Sequence, residues 1–132
     1  MTEAAGTGLK GIRQVAQRAR DLDRAVEFYR DTLGASFIAR FDPPGLAFFQ
    51  FEGVRLLLEA SAPSATLYFA VDDIEASSDE LRRRGVAFEQ EPQLVHRDDE
   101  GTFGTAGEEE WMAFFRDPDG NLLAITSRRS RK

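Results

Sequence analysis

One histidine and no cysteine bound the chemistry open to this chain. A single copy cannot assemble a multi-histidine or thiolate metal cluster, and no Cys–His pair is possible. His96, in the segment LVHRDDEG, is a candidate acid or base, because histidine ordinarily titrates near neutral pH. Asp98, Asp99 and Glu100 beside it would raise its affinity for a proton if they approach it, and a metal held by His96 and these acids is a further option. The competing reading is a histidine on a loop or strand edge. Glu59 is the second candidate and ends the apolar run VRLLLE. A carboxylate there can abstract a proton if burial raises its pKa, or hold a cationic group if it stays charged. An ion pair with Arg55, on the same strand face, is the structural alternative.

Other segments carry less chemistry. GTFGTAG, residues 101–107, lacks the lysine and the strand-to-helix setting of a phosphate loop. It reads as a flexible connection that can bring Phe103 to a ligand. In FFRDPDGN, Asp117 and Asp119 flank a proline and precede a glycine, which marks a tight turn and not a catalytic pair. No serine nucleophile stands in a recognisable triad motif.

The composition excludes several classes. With 132 residues, 42% hydrophobic and 30% charged, the chain can bury one core. Eleven Phe, two Tyr and one Trp rule out a disordered chain. No apolar run approaches membrane-spanning length, and the first residues lack a secretory pattern, so a cytoplasmic protein with no membrane partner is expected. A net charge of -6 argues against a nucleic-acid partner. Residues 1–10 read as a disordered N-terminal tail and 128–132 as a basic, solvated C-terminal tail.

The elements that must position these residues come in a repeated order. Residues 12–19 read as a strand. Asp21 can cap a helix whose stripe is Leu22, Val26, Tyr29 and Leu33, with Gly34 as its stop. Strands follow at 35–41, 46–51 and 54–60, the last two joined by a tight turn at Glu52-Gly53. The second half repeats this: a strand at 67–71, a helix opened by Asp72 and Glu75 at capping-box spacing, and a stop at Gly85. Further strands fall at 86–91, extending toward 95, then at 110–115 and 122–126. Strand, helix and three strands thus occur twice, in one domain spanning 11–127, with modules at 11–61 and 65–127.

Alternation along each strand sorts the side chains. The purely apolar sets face the helices. The mixed sets, such as Gln14 with Ala16, Leu57 with Glu59, and Thr66 with Tyr68 and Ala70, suit a concave surface that holds a small molecule. Burying Gln14 or Tyr68 there without a partner would cost about 1 to 3 kcal/mol, so a ligand, a water or each other must supply one. Trp111, Phe41, Phe48, Phe49 and Tyr68 can form an aromatic pocket, with the core as the alternative for each.

The pieces IRQVAQRARDLDRAVEFYRDTLG, GVRLLLEAS, LYFAVDDIEA, LRRRGV and FFRDPDGNLLAI, in this order, resemble the vicinal oxygen chelate superfamily of glyoxalases, bleomycin resistance proteins and dioxygenases. The resemblance implies an α+β fold: paired βαβββ modules forming a cup-shaped mixed sheet, often completed by dimerisation. Metal-dependent members carry His or Glu at positions that fall here on Gln14, Glu59, Thr66 and Ala124. Only Glu59 is a strong ligand type, so no metal and no other cofactor is expected. The expected function is binding of a small organic molecule by a homodimer, through Gln14, Glu59, Thr66, Tyr68, Phe103 and Trp111. A metal-dependent lyase, isomerase or dioxygenase using Glu59 or His96, and a non-catalytic protein-interaction domain, are the alternatives.

Overall fold

A computed structural model describes residues 6–130 of the chain, so the expected tail at 1–10 lies partly outside the described residues. The elements are β1 (Gln14–Arg18), α1 (Leu22–Glu27), a π-helical turn (Phe28–Thr32), β2 (Ser36–Phe41), β3 (Leu46–Phe51), β4 (Val54–Glu59), β5 (Leu67–Ala70), α2 (Ile74–Arg83), β6 (Gln93–Asp98), β7 (Glu108–Arg116) and β8 (Leu122–Ser130). They form two four-stranded sheets, ordered β1-β4-β3-β2 and β5-β8-β7-β6. In each, the first and last strands of the module pair in parallel and the remaining pairs are antiparallel. The doubled βαβββ pattern and the α+β mixed-sheet fold follow directly from this order.

The local signals explain most boundaries. The Asp21 side chain accepts a hydrogen bond from the Arg24 amide and caps α1. The expected stripe is retained, but the helix widens at its end, where the Leu33 amide donates to the Phe28 carbonyl. Gly34 then takes a φ of 74°, which lets the chain leave the helix. The second helix opens one residue later than expected. Asp73, not Asp72, caps it through the Ala76 amide, because Ile74 must enter the core as the first helical residue.

Three expectations about strands are corrected. The segment 86–91 makes only an isolated bridge from Phe88 to Phe115, and the strand proper runs from Gln93 to Asp98, through His96. β7 begins at Glu108, two residues before the expected 110. β8 continues to Ser130, so Arg128 and Arg129 are strand residues and not a solvated tail. Their charges are held in place: Arg128 pairs with Asp98 and Glu108, and Arg129 pairs with Glu75 and stacks on the Trp111 ring.

Both sheets turn their helix-covered faces into one core. Phe49, Leu56 and Leu58 of the first sheet and Phe115, Leu123 and Ile125 of the second belong to a single buried cluster. The Phe51 and Phe69 rings meet across the module boundary at 5.2 Å. Polar bonds fix the same boundary. The buried Asp117 carboxylate accepts from the Tyr29 hydroxyl at 2.7 Å, from the Asp119 and Asn121 amides and from Asn121 Nδ2. Asn121 Nδ2 also donates to the Arg18 carbonyl. Gln17, fully buried in β1, exchanges two hydrogen bonds with the backbone of Ala65. The turn in FFRDPDGN is therefore structural, as its residue types suggest, and it fastens the second module to the first.

Burial, followed by the charge of Asp117, pushes the Tyr29 phenol far above its ordinary pKa, so it remains a donor at every accessible pH. Two substitutions test the seam. Tyr29→Phe removes one of several donors to Asp117 and is expected to cost about 1 to 2 kcal/mol. Gln17→Leu strands both the amide and the carbonyl of Ala65 and is expected to cost about 2 to 4 kcal/mol. Urea unfolding midpoints measure both, and a smaller loss for Gln17→Leu than for Tyr29→Phe would contradict the ranking.

Candidate functional site

Because the helix-covered faces share a core, the other face of each sheet lies on the far side from it. Strand register arranges these open faces in rows. On the first sheet, Gln14 and Arg55 stand opposite each other, then Ala16 and Leu57, then Arg18 and Glu59. Leu57 continues into Phe48 and Ala39, which makes the middle row apolar. On the second sheet, Tyr68, Ala124 and Phe114 form one row, Ala70, Thr126, Met112 and Gln93 the next, and Arg128, Glu110 and His96 a third. The two modules correspond in this register. Ala16 beside Leu57 matches Tyr68 beside Ala124, and Glu59 matches Thr126.

The expected ligand residues divide between these faces. Gln14 and Glu59 share the first sheet's open face. Tyr68 lies on the second sheet's open face, against the Phe114 ring at 6.0 Å, and Thr66 directly precedes its strand. Phe103 stands exposed on the β6–β7 connection, with its ring edge-on to His96 at 5.7 Å. Trp111 is elsewhere. Alternation with Ala113 and Phe115 places it on the helix-covered face of β7, partly buried against the core. One chain therefore does not bring these six residues into a single hollow. A cavity of about 740 Å³ opens between the edges of β1 and β5, but Val15, Leu56, Leu67 and Phe69 line its core side and, of the six, only Tyr68 borders it.

The electrostatic detail departs from the simple pairing. Glu59 accepts from the Ser61 hydroxyl, whereas Arg55 Nε donates to Gln14 Oε1 at 2.7 Å. The alternative Arg55–Glu59 ion pair is not formed. On the second sheet, Glu110 accepts from the Thr126 hydroxyl and lies 3.5 Å from Arg128. Glu110, Met112 and Phe114 are not among the expected ligand residues, although strict alternation in EEEWMAFFR separates them from Trp111, and Thr126 joins them from β8 by pairing with Met112.

The donor set does not fit a tightly held divalent metal. The oxygen of Gln14 is already engaged by Arg55, Thr66 offers one hydroxyl and Ala124 no donor. Of the four positions carried over from the resemblance only Glu59 is a strong ligand, and the register corrects the set, because Ala124 matches Leu57 whereas Glu59 matches Thr126. Among the described residues, no group of three His, Cys, Asp or Glu side chains is placed to hold an ion.

The glycine-rich connection is organised around Asp98, which is 1% exposed. Its carboxylate accepts from the amides of Thr102 and Phe103 and from Arg128, and its carbonyl accepts from the Gly107 amide. Burial alone would raise the Asp98 carboxyl, but the two amides and the Arg128 guanidinium outweigh it and hold the group below the ordinary aspartate range. The loop expected to be flexible is thus tied at both ends, and Phe103 is presented from a fixed base.

A family model described as the Glyoxalase/Bleomycin resistance protein/Dioxygenase superfamily matches residues 11–125. The crystal structure of SMU.1112c is similar with a TM-score of 0.70 and 25% identity, over 89% of this chain and 98% of that one. A lactoylglutathione lyase from Agrobacterium tumefaciens gives a TM-score of 0.71 at 20% identity, over 91% of this chain and 95% of that one. TnmS3, an antibiotic binding protein from Streptomyces sp. CB03234, gives 0.71 at 22% identity, over 92% and 98%. The last two likenesses are of fold alone. No match was found among curated proteins. No helix among the described residues is long and apolar enough to cross a membrane.

The Asp98 tie predicts a pH dependence of stability. A carboxyl whose folded pKa is depressed stabilises the fold above its unfolded value, near 3.9, and loses that contribution as pH falls from there through the folded value. Asp98→Asn should melt below wild type at pH 7, with the gap closing below about pH 4. Melting temperatures from pH 7 to pH 2.5 measure this, and a constant gap would contradict it.

Proposed function

This chain belongs to the Glyoxalase/Bleomycin resistance protein/Dioxygenase superfamily, and from that premise we propose that it is a small-molecule binding protein that works as a cytoplasmic homodimer without a tightly held metal. The family fold is one that receives small molecules. The observation that carries the reading is the composition of the two open faces. Each has an apolar row, Ala16, Leu57 and Phe48 on one and Tyr68, Ala124 and Phe114 on the other, flanked by polar side chains. An apolar floor with a few placed polar groups is what a small-molecule site requires.

A second copy supplies what one chain lacks. The first module of one copy set against the second module of another would enclose Gln14, Glu59, Leu57, Tyr68 and Ala124 in a common hollow. β1 and β5 are sheet edges, and Tyr68 on β5 is 55% exposed, so pairing between copies has a physical motive. The donor set at Gln14, Glu59, Thr66 and Ala124 supports binding over metal-dependent lyase, isomerase or dioxygenase chemistry, because those four positions supply one carboxylate between them.

Three measurements test this. Sedimentation should give about twice the chain mass of 14.8 kDa. Metal analysis after purification without chelator should find no stoichiometric zinc, nickel, manganese or iron; a full equivalent would overturn the reading. A thermal-shift screen of flat aromatic compounds should find ligands. At a hundred times its Kd a ligand adds about 2.7 kcal/mol, roughly a 10 °C rise for a domain of this size. Glu59→Ala should reduce that rise, and a screen without any shift would count against the proposal.

A further inference from the structure

We infer that the open face of the first sheet is built to receive an anionic group on a flat apolar ligand, with Arg55 as the anion-binding residue and Gln14 as the group that positions it. The inference rests on the small-molecule reading and adds the ligand's charge, which the protein's overall charge of -6 would not suggest.

Arg55 spends one donor on a neutral neighbour. Its Nε donates to Gln14 Oε1 at 2.7 Å, and its guanidinium carbon lies 5.6 Å from the centre of the Phe48 ring. Among the described residues its two terminal nitrogens have no acceptor and no carboxylate within ion-pair reach. The other arginines of the open faces differ, and Arg116 on β7 pairs with Glu89. Arg128 is enclosed by Asp98, Glu108 and Glu110. Arg18 stands opposite Glu59 in the register and donates to the Ala62 carbonyl. Glu59 is four residues along β4 from Arg55, about 13 Å at the rise of a strand, too far to neutralise it.

The surroundings of Arg55 suit the same ligand. Its cross-strand neighbours on the two sides are Gln14 and Gln50, both neutral. The next row is apolar, with Leu57 buried between the half-buried Ala16 and Phe48 and with Ala39 half-buried beyond, so a flat ring system can lie against it. A planar guanidinium pinned at Nε presents its remaining donors as a fork that matches a carboxylate, sulfonate or phosphate. Pinning by Gln14 also removes in advance much of the side-chain freedom that binding would otherwise cost.

A matched pair of dyes tests the charge separately from the site. 8-Anilinonaphthalene-1-sulfonate and N-phenyl-1-naphthylamine share their rings and differ by the sulfonate. Fluorescence titration of the folded protein should show the sulfonate binding at least tenfold more tightly. Arg55→Gln should erase that preference while leaving the neutral dye's affinity within twofold. Arg55→Lys should keep part of it, and Gln14→Ala should weaken the sulfonate several-fold. Arg30→Gln, which removes a charge paired with Asp31 away from this face, should change neither dye. Ala16→Trp, checked for folding by circular dichroism, should displace both. Equal affinities, unaffected by Arg55→Gln yet lost in Ala16→Trp, would overturn the anion assignment and leave the small-molecule reading standing. Failure of both dyes to bind wild type would remove both.

Discussion

A carboxylate taken out of water must be met by donors, and in this chain the requirement falls on Asp117. It sits in the tight turn between β7 and β8, 6% exposed, and collects hydrogen bonds from Tyr29, Asn121 and two backbone amides. Tyr29 comes from the helix of the other module, and Asn121 reaches on to the carbonyl of Arg18. The turn cannot shift without leaving buried polar groups unpaired, so the two modules are locked in one relative position. Gln17 and Ala65 repeat the device where the chain passes from one module to the next.

That lock has a consequence for function through the geometry of sheets. Successive side chains in a strand point to opposite faces. Once the faces bearing Phe49, Leu58, Phe115 and Ile125 are committed to a common core, the opposite faces are committed to the outside. Each open face then carries an apolar row with polar groups beside it. The same commitment places Trp111 on the helix-covered face, where it stacks on Arg129 and donates to Glu109.

Charge on the two open faces is handled in contrasting ways. On the second sheet, Arg128 bonds Asp98 and Glu108 and lies 3.5 Å from Glu110, with its Nη1 buried and without a hydrogen-bond partner among the described residues, and Asp98 also ties down the loop that carries Phe103. Three carboxylates around one guanidinium neutralise its charge, and Asp98 among them organises the backbone of the loop. On the first sheet, Arg55 is oriented by a neutral partner and keeps its charge available. The difference arises because Gln14 occupies a place where an acid would have quenched it.

Local physics was legible in the sequence. Alternation separated Leu56 and Leu58 from Leu57 and Glu59, Asp21 announced the first helix, and Asp-Pro-Asp-Gly announced its turn, because each signal depends on residues close in the chain. The boundaries that failed were those set from a distance. β8 extends through Arg128 and Arg129 because Asp98, Glu108 and Glu75 neutralise them, and GTFGTAG is ordered because Asp98 binds its amides. Alternation alone sorted the faces of β1, β4 and β5, whereas the irregular registers of β2 and β6 were not legible. Only the tertiary structure decided which face is buried and that Arg55 turns to Gln14 instead of Glu59, because burial and pairing depend on neighbours that the chain brings together from far apart.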